Sequence, residues 1–128
     1  MEFDAIARSA GFDIQLPQVP DGVRIIANVE DIAKQRLVVD VTAAPAQADT
    51  LNAVIPWSDQ RYHYMSKQIG RSVLGRIRLG DSLYQIDDTW WGVMDYGRGE
   101  WPYSISWNRV IGYGDVSGRK IGLNLGAR

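Results

Sequence analysis

The residues with the clearest capacity for chemistry are Asp95 and Arg98, in the run Asp95-Tyr-Gly-Arg-Gly-Glu-Trp-Pro102. In a tight loop, their spacing lets the guanidinium fold back and bind the carboxylate bidentately. Inside a cavity, Asp95 could act as an acid or base and Arg98 could bind a substrate carboxylate. The alternative is structural: the ion pair fixes the loop, and Gly97 and Gly99 supply positive φ angles. Structural ion pairs are the commoner kind, but both interpretations stay open.

Aromatic residues surround this pair. The interval holds four of the five tryptophans: Trp90, Trp91, Trp101 and Trp107. A tryptophan needs a fitted site for its ring and a partner for its N–H, so the interval predicts either the centre of a core or the rim of a binding cavity. Strand periodicity places Trp107 and Tyr103 on one inward face, and Trp101 is expected at the rim. Trp101, Tyr103 and Trp107 are therefore candidate contacts for an elongated apolar ligand.

Three further polar residues need an explanation. Arg109 falls on the inward face of the same predicted strand, where a buried charge requires a partner such as Asp95 or Asp88; otherwise a bulge turns it outward. Asn124 alternates away from its neighbouring leucines, and we expect it to satisfy backbone groups or, second, to contact a ligand. His63 is expected on a solvent-facing side of a strand, and not as a catalyst.

Composition limits the classes of site and partner. With 14 basic and 15 acidic residues in 128, the formal net charge is -1, which leaves no basic excess to neutralise a nucleic acid. The absence of cysteine and the single histidine exclude Cys-ligated zinc and His-paired metal sites, and no aspartates have the spacing of a calcium loop. No segment approaches a membrane span or a signal peptide. We therefore expect one cytoplasmic domain over residues 1–128, with no cofactor and no nucleic-acid partner.

The elements that must position these residues are predicted to be short strands. Period-two alternation occurs at residues 12–16, 23–27, 37–42, 51–57, 61–65, 73–79, 83–86, 103–113 and 120–125. A short helix is predicted before Gly11, and a single helical turn over residues 28–31. The clearest hairpin joins residues 73–79 to 83–86. A total of about eight or nine strands with glycine-rich turns predicts an all-β antiparallel barrel or sandwich.

The motif Asp95-x-Gly-Arg-Gly-x-Trp-Pro102, with Trp107 and residues 118–126, resembles the centre of the family called domain of unknown function 2804. Together with upstream segments, the resemblance covers most of residues 35–126. It implies a lipocalin-like antiparallel fold, distantly related to carotenoid hydratases, and no established reaction. It also implies that the chain is a middle portion of a larger β structure. The strand at residues 120–125 would then be an exposed edge, which a second copy would complete as a homo-oligomer.

Three functions remain open. The first is a lipocalin-like module that binds a small hydrophobic or amphipathic molecule through Arg98, Trp101, Tyr103, Trp107, Arg109 and Asn124. The second is a hydratase or isomerase in which Asp95 protonates a double bond and Tyr96 or Tyr103 assists. The third is an assembly domain with a filled core. An enclosed cavity that contains Asp95 would favour the enzyme, an apolar cavity without Asp95 the binding module, and no cavity the assembly domain.

Overall fold

The computed structural model describes residues 4–30 and 34–127. This part of the chain contains strands and no helix, which confirms the predicted all-β class. The strands are β1 (Ala5–Ser9), β2 (Phe12–Leu16), β3 (Gln18–Val19), β4 (Gly22–Glu30), β5 (Arg36–Ala43), β6 (Leu51–Pro56), β7 (Tyr62–Leu79), β8 (Ser82–Ile86), β9 (Trp91–Gly99), β10 (Asn108–Val116) and β11 (Arg119–Ala127). They form two compact units, Met1–Pro45 with Ser72–Trp91, and Ala46–Arg71 with Gly92–Arg128. The expectation of a single domain stays a prediction.

The first unit is an antiparallel sheet in the order β1-β2-β4-β5-β7-β8, with β3 paired to β4. Its β-branched and aliphatic residues alternate with polar ones, because successive side chains of a strand point to opposite faces. Small and aliphatic side chains form its buried part: Ala27, Val41, Ala43 and Ile86. The predicted hairpin is confirmed, since Leu79 of β7 pairs with Ser82 of β8 across a two-residue turn.

The polar face of this first sheet carries a bidentate ion pair. Arg24 on β4 donates to both carboxylate oxygens of Asp40 on β5, at 2.8 and 2.9 Å. These hydrogen bonds hold the pKa of Asp40 below its ordinary value. The pair lines an open groove of about 450 Å³, together with Arg76 and other polar side chains. The lining includes two arginines, Arg24 and Arg76, and two aspartates, Asp21 and Asp40, so its formal charges balance.

The second unit contains β6, the first ten residues of β7, β9, and the hairpin of β10 and β11. β6 pairs antiparallel with residues Tyr62 to Lys67 of β7, β9 also pairs with β7, and β10 pairs antiparallel with β11. The sequence predicts separate strands at residues 61–65 and 73–79, but the structure has one continuous strand of 18 residues. Gly70 lies inside it with a φ of 75°, so an irregular residue interrupts the pattern without ending the strand.

Both predicted helices are wrong where the structure describes them. Ala5–Ser9 forms β1, paired residue by residue with β2, and Gly11 belongs to the turn between them. So short a helix is marginal in water, whereas the hairpin satisfies the same backbone groups. Asn28 and Glu30 continue β4, which pairs with strands on both sides. Residues 1–3 of the first helix, and Asp31 of the second, lie outside the described residues.

The long strand predicted for residues 103–113 is also shorter in the structure. β10 begins at Asn108, and residues 103–107 have no strand conformation. The ladder of β10 with β11 starts at the pair Asn108 and Ala127. Residues 103–107 therefore belong to the connection between β9 and β10. Their side chains alternate in type as in a strand, but their backbone is not in a strand ladder.

Candidate functional site

Charged side chains are buried along the first half of β7. His63, Lys67 and Arg71 follow one another at four-residue intervals and are exposed by 5%, 8% and 5%. His63 and Lys67 share one face of the strand, because an even number of residues separates them. The prediction that His63 faces solvent is wrong. Trp101 and Trp107 cover it, with ring centroids 5.0 and 5.7 Å from the imidazole.

A polar cluster, formed by Lys67, Asp95, Arg109 and Asn124, lies in the same unit. Asp95 on β9 accepts a contact of 3.4 Å from the ammonium of Lys67 on β7 and forms an ion pair with Arg109 on β10. Arg109 Nε donates to the side-chain oxygen of Asn124 on β11 at 3.3 Å. Four strands thus bring together residues that are far apart in sequence. Three of these residues, Asp95, Arg109 and Asn124, are sequence-predicted candidates, and Asp95 is one of the two partners expected for Arg109.

The predicted ion pair between Asp95 and Arg98 does not form. β9 is extended over Trp91–Gly99, so residues three apart point to opposite faces. The guanidinium of Arg98 instead lies 5.5 Å from the ring centroid of Tyr64, and Tyr96 meets the same ring edge-on at 6.3 Å. Asp95 and its proposed assistant Tyr96 are therefore separated by the strand.

The glycines of the motif are needed for close approach more than for loop conformation. Gly97 has no positive φ, contrary to the prediction, but a Cβ there would lie 2.8 Å from Nε2 of His63. Gly99 does have the predicted positive φ, 150°, and a side chain there would overlap the carbonyl oxygen of Tyr62. Both glycines let β9 lie directly against the buried part of β7.

The aromatic candidates differ in exposure. Trp101 and Trp107 are 40% and 46% exposed, whereas Tyr103 is fully exposed. The rim position expected for Trp101 stays a prediction. The expected core position of Trp107 is wrong. Residues 103–107 are not in a strand, so the alternation that would have turned Trp107 inward does not apply. An open depression of about 140 Å³ adjoins Arg109, lined also by Asn108, Val110, Leu125 and Gly126.

Burial and like charge dominate the electrostatics of this unit. Burial, and next the charge of Lys67, lower the pKa of His63. Burial, and next the charge of Arg109, lower the pKa of Lys67, and burial also lowers the pKa of Arg71. Within the polar cluster, one carboxylate faces two cations. Nδ1 of His63 is buried and has no hydrogen-bond partner among the described residues.

Sequence reasoning missed Lys67 and Arg71. A signal for them was present, since His63, Lys67 and Arg71 keep an even spacing through a strand-like segment. The spacing does not predict that these side chains are buried. The burial of His63 depends on β9 and on the rings of Trp101 and Trp107. In the described part of the chain, no group of three or more acidic, histidine or cysteine side chains is arranged to hold a metal.

The strands and this site first define the class of the protein: an antiparallel β-protein with charged groups buried along one strand. More particularly, the chain belongs to the family described as domain of unknown function (DUF2804), whose model matches residues 3–128. The match extends beyond the segment that carries the motif and includes the strands of the first unit. No curated protein and no solved structure matches the chain. The implied relationship to lipocalins stays a prediction.

A search of the described residues for a membrane-crossing helix, one that is both long and apolar enough, finds none.

Proposed function

We propose that the second unit binds a small amphipathic molecule, with the apolar part against Trp101 and Trp107 and the polar end at the polar cluster. The observation that carries the proposal is the pair of half-exposed indole rings that pack, tilted, against a buried histidine. His63 and Lys67 lie four residues apart on one face of β7, so the rings and the polar cluster adjoin the same stretch of this strand.

The exposed indole surface sets the scale of the binding. A tryptophan side chain offers up to about 250 Å², so two rings with 40% and 46% exposure leave roughly 200 Å² uncovered. Covering that area is worth about 5 kcal/mol at 25 cal/mol per Å². Association itself removes several kcal/mol through lost translational and rotational freedom. The apolar contact alone thus supports only weak binding, and a polar end that uses the polar cluster is needed for appreciable affinity.

The placement of the candidate catalytic residues favours binding over catalysis. Both ion pairs of Asp95 require an ionised carboxylate, whereas a general acid must carry the proton. Tyr96 lies on the opposite face of β9, where it contacts Tyr64, and Tyr103 is fully exposed. No tyrosine hydroxyl is therefore positioned to assist Asp95.

The test is a titration with decanoate and with 1-decanol, followed by isothermal titration calorimetry and tryptophan fluorescence. We expect Trp101→Ala and Trp107→Ala each to weaken the binding of both probes at least threefold, because each removes about half of the apolar contact. Trp90→Ala is the matched control: Trp90 is 48% exposed but belongs to the first unit, so affinity should not change. Absence of binding by both probes, or equal losses in all three variants, would overturn the proposal.

A second proposal concerns self-association through β11, which pairs with β10 alone among the described residues. One face of this two-stranded sheet exposes five apolar side chains: Val110, Val116, Ile121, Leu123 and Leu125. An antiparallel pairing of two β11 strands centred on Leu123 would place Ile121 opposite Leu125 and would oppose no like charges. A second copy is therefore a chemically suitable partner for this edge.

Native mass spectrometry and light scattering test this association. The unaltered chain should be a dimer, and Leu123→Lys should convert it to a monomer. Lys120→Gln, on the other face of the same strand, is the control and should stay dimeric. A monomeric unaltered chain at micromolar concentration would contradict the proposal.

A further inference from the structure

We infer that the polar end of the ligand is a carboxylate, which binds Lys67 and Arg109 in place of Asp95, so that Asp95 is an internal competitor of the ligand. This inference rests on the proposed binding function and names the chemical class of the ligand. It goes beyond that function because it assigns Asp95 the role of a displaceable group and not of a contact or a catalyst.

The charge balance of the polar cluster favours an anion. Lys67 and Arg109 together carry one positive charge more than Asp95 can neutralise. The side chain of Lys67 is only 9% exposed, so water screens its charge poorly. A buried ammonium beside a guanidinium is stabilised by any anionic group that reaches both. A ligand carboxylate can take the place of Asp95 between the two cations, whereas a neutral polar group in that place would leave both cations without a counter-charge.

Asp95 is the member of the polar cluster that can be exchanged. Its side chain is 40% exposed, against 9% for Lys67 and 29% for Arg109. Its contact with Lys67 is 3.4 Å long, whereas strong charge-assisted hydrogen bonds are about 2.7–2.9 Å. A ligand carboxylate has the same charge and the same two acceptor oxygens, so it can replace Asp95 without changing the charge of the cluster.

Asn124 makes the site more than an ion pair. Asn124 accepts from Nε of Arg109 and so orients the guanidinium, which leaves its remaining N–H groups for an anion. The indoles at Trp101 and Trp107 then select anions that carry an apolar body.

The experiment compares decanoate with 1-decanol on the unaltered chain and on variants, by isothermal titration calorimetry. Asp95→Asn removes the competitor and should raise the affinity for decanoate about tenfold, the equivalent of one charge-assisted hydrogen bond. Lys67→Met should lower it by about the same factor. Neither variant should change the affinity for 1-decanol. Asp115→Asn, which removes a carboxylate paired with Lys120, is the matched control and should change neither affinity.

The outcomes separate the inference from the function on which it rests. If neither probe binds, the proposed function itself fails. If both probes bind equally and Asp95→Asn and Lys67→Met change neither affinity, binding stands and the carboxylate inference is overturned. Acetate and inorganic phosphate are titrated in parallel: if either binds as tightly as decanoate, the site holds small free anions and the amphipathic ligand is excluded. Circular dichroism establishes that each variant is folded, and Lys67→Met alone decides the question if Asp95→Asn does not fold.

Discussion

The coupling between Asp95 and Lys67 can be measured with a double-mutant cycle of Asp95→Asn, Lys67→Met and the two together. At 3.4 Å, two unit charges attract by roughly 5 kcal/mol at an effective dielectric constant of 20. Because the side chain of Asp95 is 40% exposed, solvent screening reduces the net interaction to about 1–2 kcal/mol. Loss of Asp95 alone should therefore destabilise the fold by about 2 kcal/mol, since it leaves Lys67 buried beside Arg109 without a counter-charge.

The second arm of the cycle gives the opposite expectation. Lys67→Met removes a buried charge and leaves Asp95 paired with Arg109, so the free energy of unfolding should stay within about 1 kcal/mol or rise. In that background, Asp95→Asn should cost about 1–2 kcal/mol less than it does alone. Urea unfolding followed by circular dichroism measures all four free energies. Asp115→Asn in the same two backgrounds should show no coupling, because its ion pair is with Lys120. If Asp95→Asn lowered the free energy of unfolding equally with and without Lys67, the ion pair between Asp95 and Lys67 would be refuted.

Three further predictions concern groups in both units. The only histidine, His63, should titrate by NMR below its ordinary pKa of 6.5, because burial and then the charge of Lys67 disfavour the imidazolium, and Lys67→Met should raise that pKa. Since the unfolded state then binds more protons, stability should fall as pH drops from 6.5 towards the folded-state pKa; a titration at or above 6.5 would contradict the assigned burial. Gly75→Ala should destabilise by at least about 2 kcal/mol in urea unfolding, because Gly75 has a φ of 141° and the new Cβ would overlap the carbonyl oxygen of Asp40. Gly114→Ala, which meets no atom within 4 Å, is its control and should cost under about 1 kcal/mol. Hydrogen bonds from Arg24 lower the pKa of Asp40, so that carboxylate should stabilise the fold above pH 3.8 and lose this effect as pH falls through the folded-state pKa. Asp40→Asn should abolish this fall of the unfolding free energy at acid pH and should cost at most about 1 kcal/mol at pH 7.

Local patterns in the sequence were sufficient for much of the fold. Alternation in residues 12–16 and 23–27 predicts β2 and the start of β4, and the turn between Leu79 and Ser82 predicts the hairpin of β7 and β8. The same reasoning failed where pairing with distant strands decides the conformation. Residues 5–9 satisfy a helical spacing and a strand equally, and only the ladder with β2 distinguishes them. The predicted strands end at residue 65 and resume at residue 73, yet in the structure one strand continues through the interval, including Gly70.

The site was predictable by residue type and not by geometry. Asp95 and Arg109 were candidate partners because a buried arginine needs a counter-charge, and that physical requirement holds regardless of the fold. The pairing of Asp95 with Arg98 was expected because the glycines suggested a loop, whereas β9 is extended through pairing with β7. The burial of His63 depends on rings about forty residues later in the chain. No periodicity around His63 contains that information.

The length of β7 has a consequence for how the protein loses its structure. One strand supplies the backbone ladder of β6 and β9 in its first part, and that of β5 and β8 in its second. A strand that is paired on both sides can exchange its amide hydrogens only after a neighbouring strand has separated from it. Within each unit, the amides of β7 should therefore be among the last to exchange with solvent.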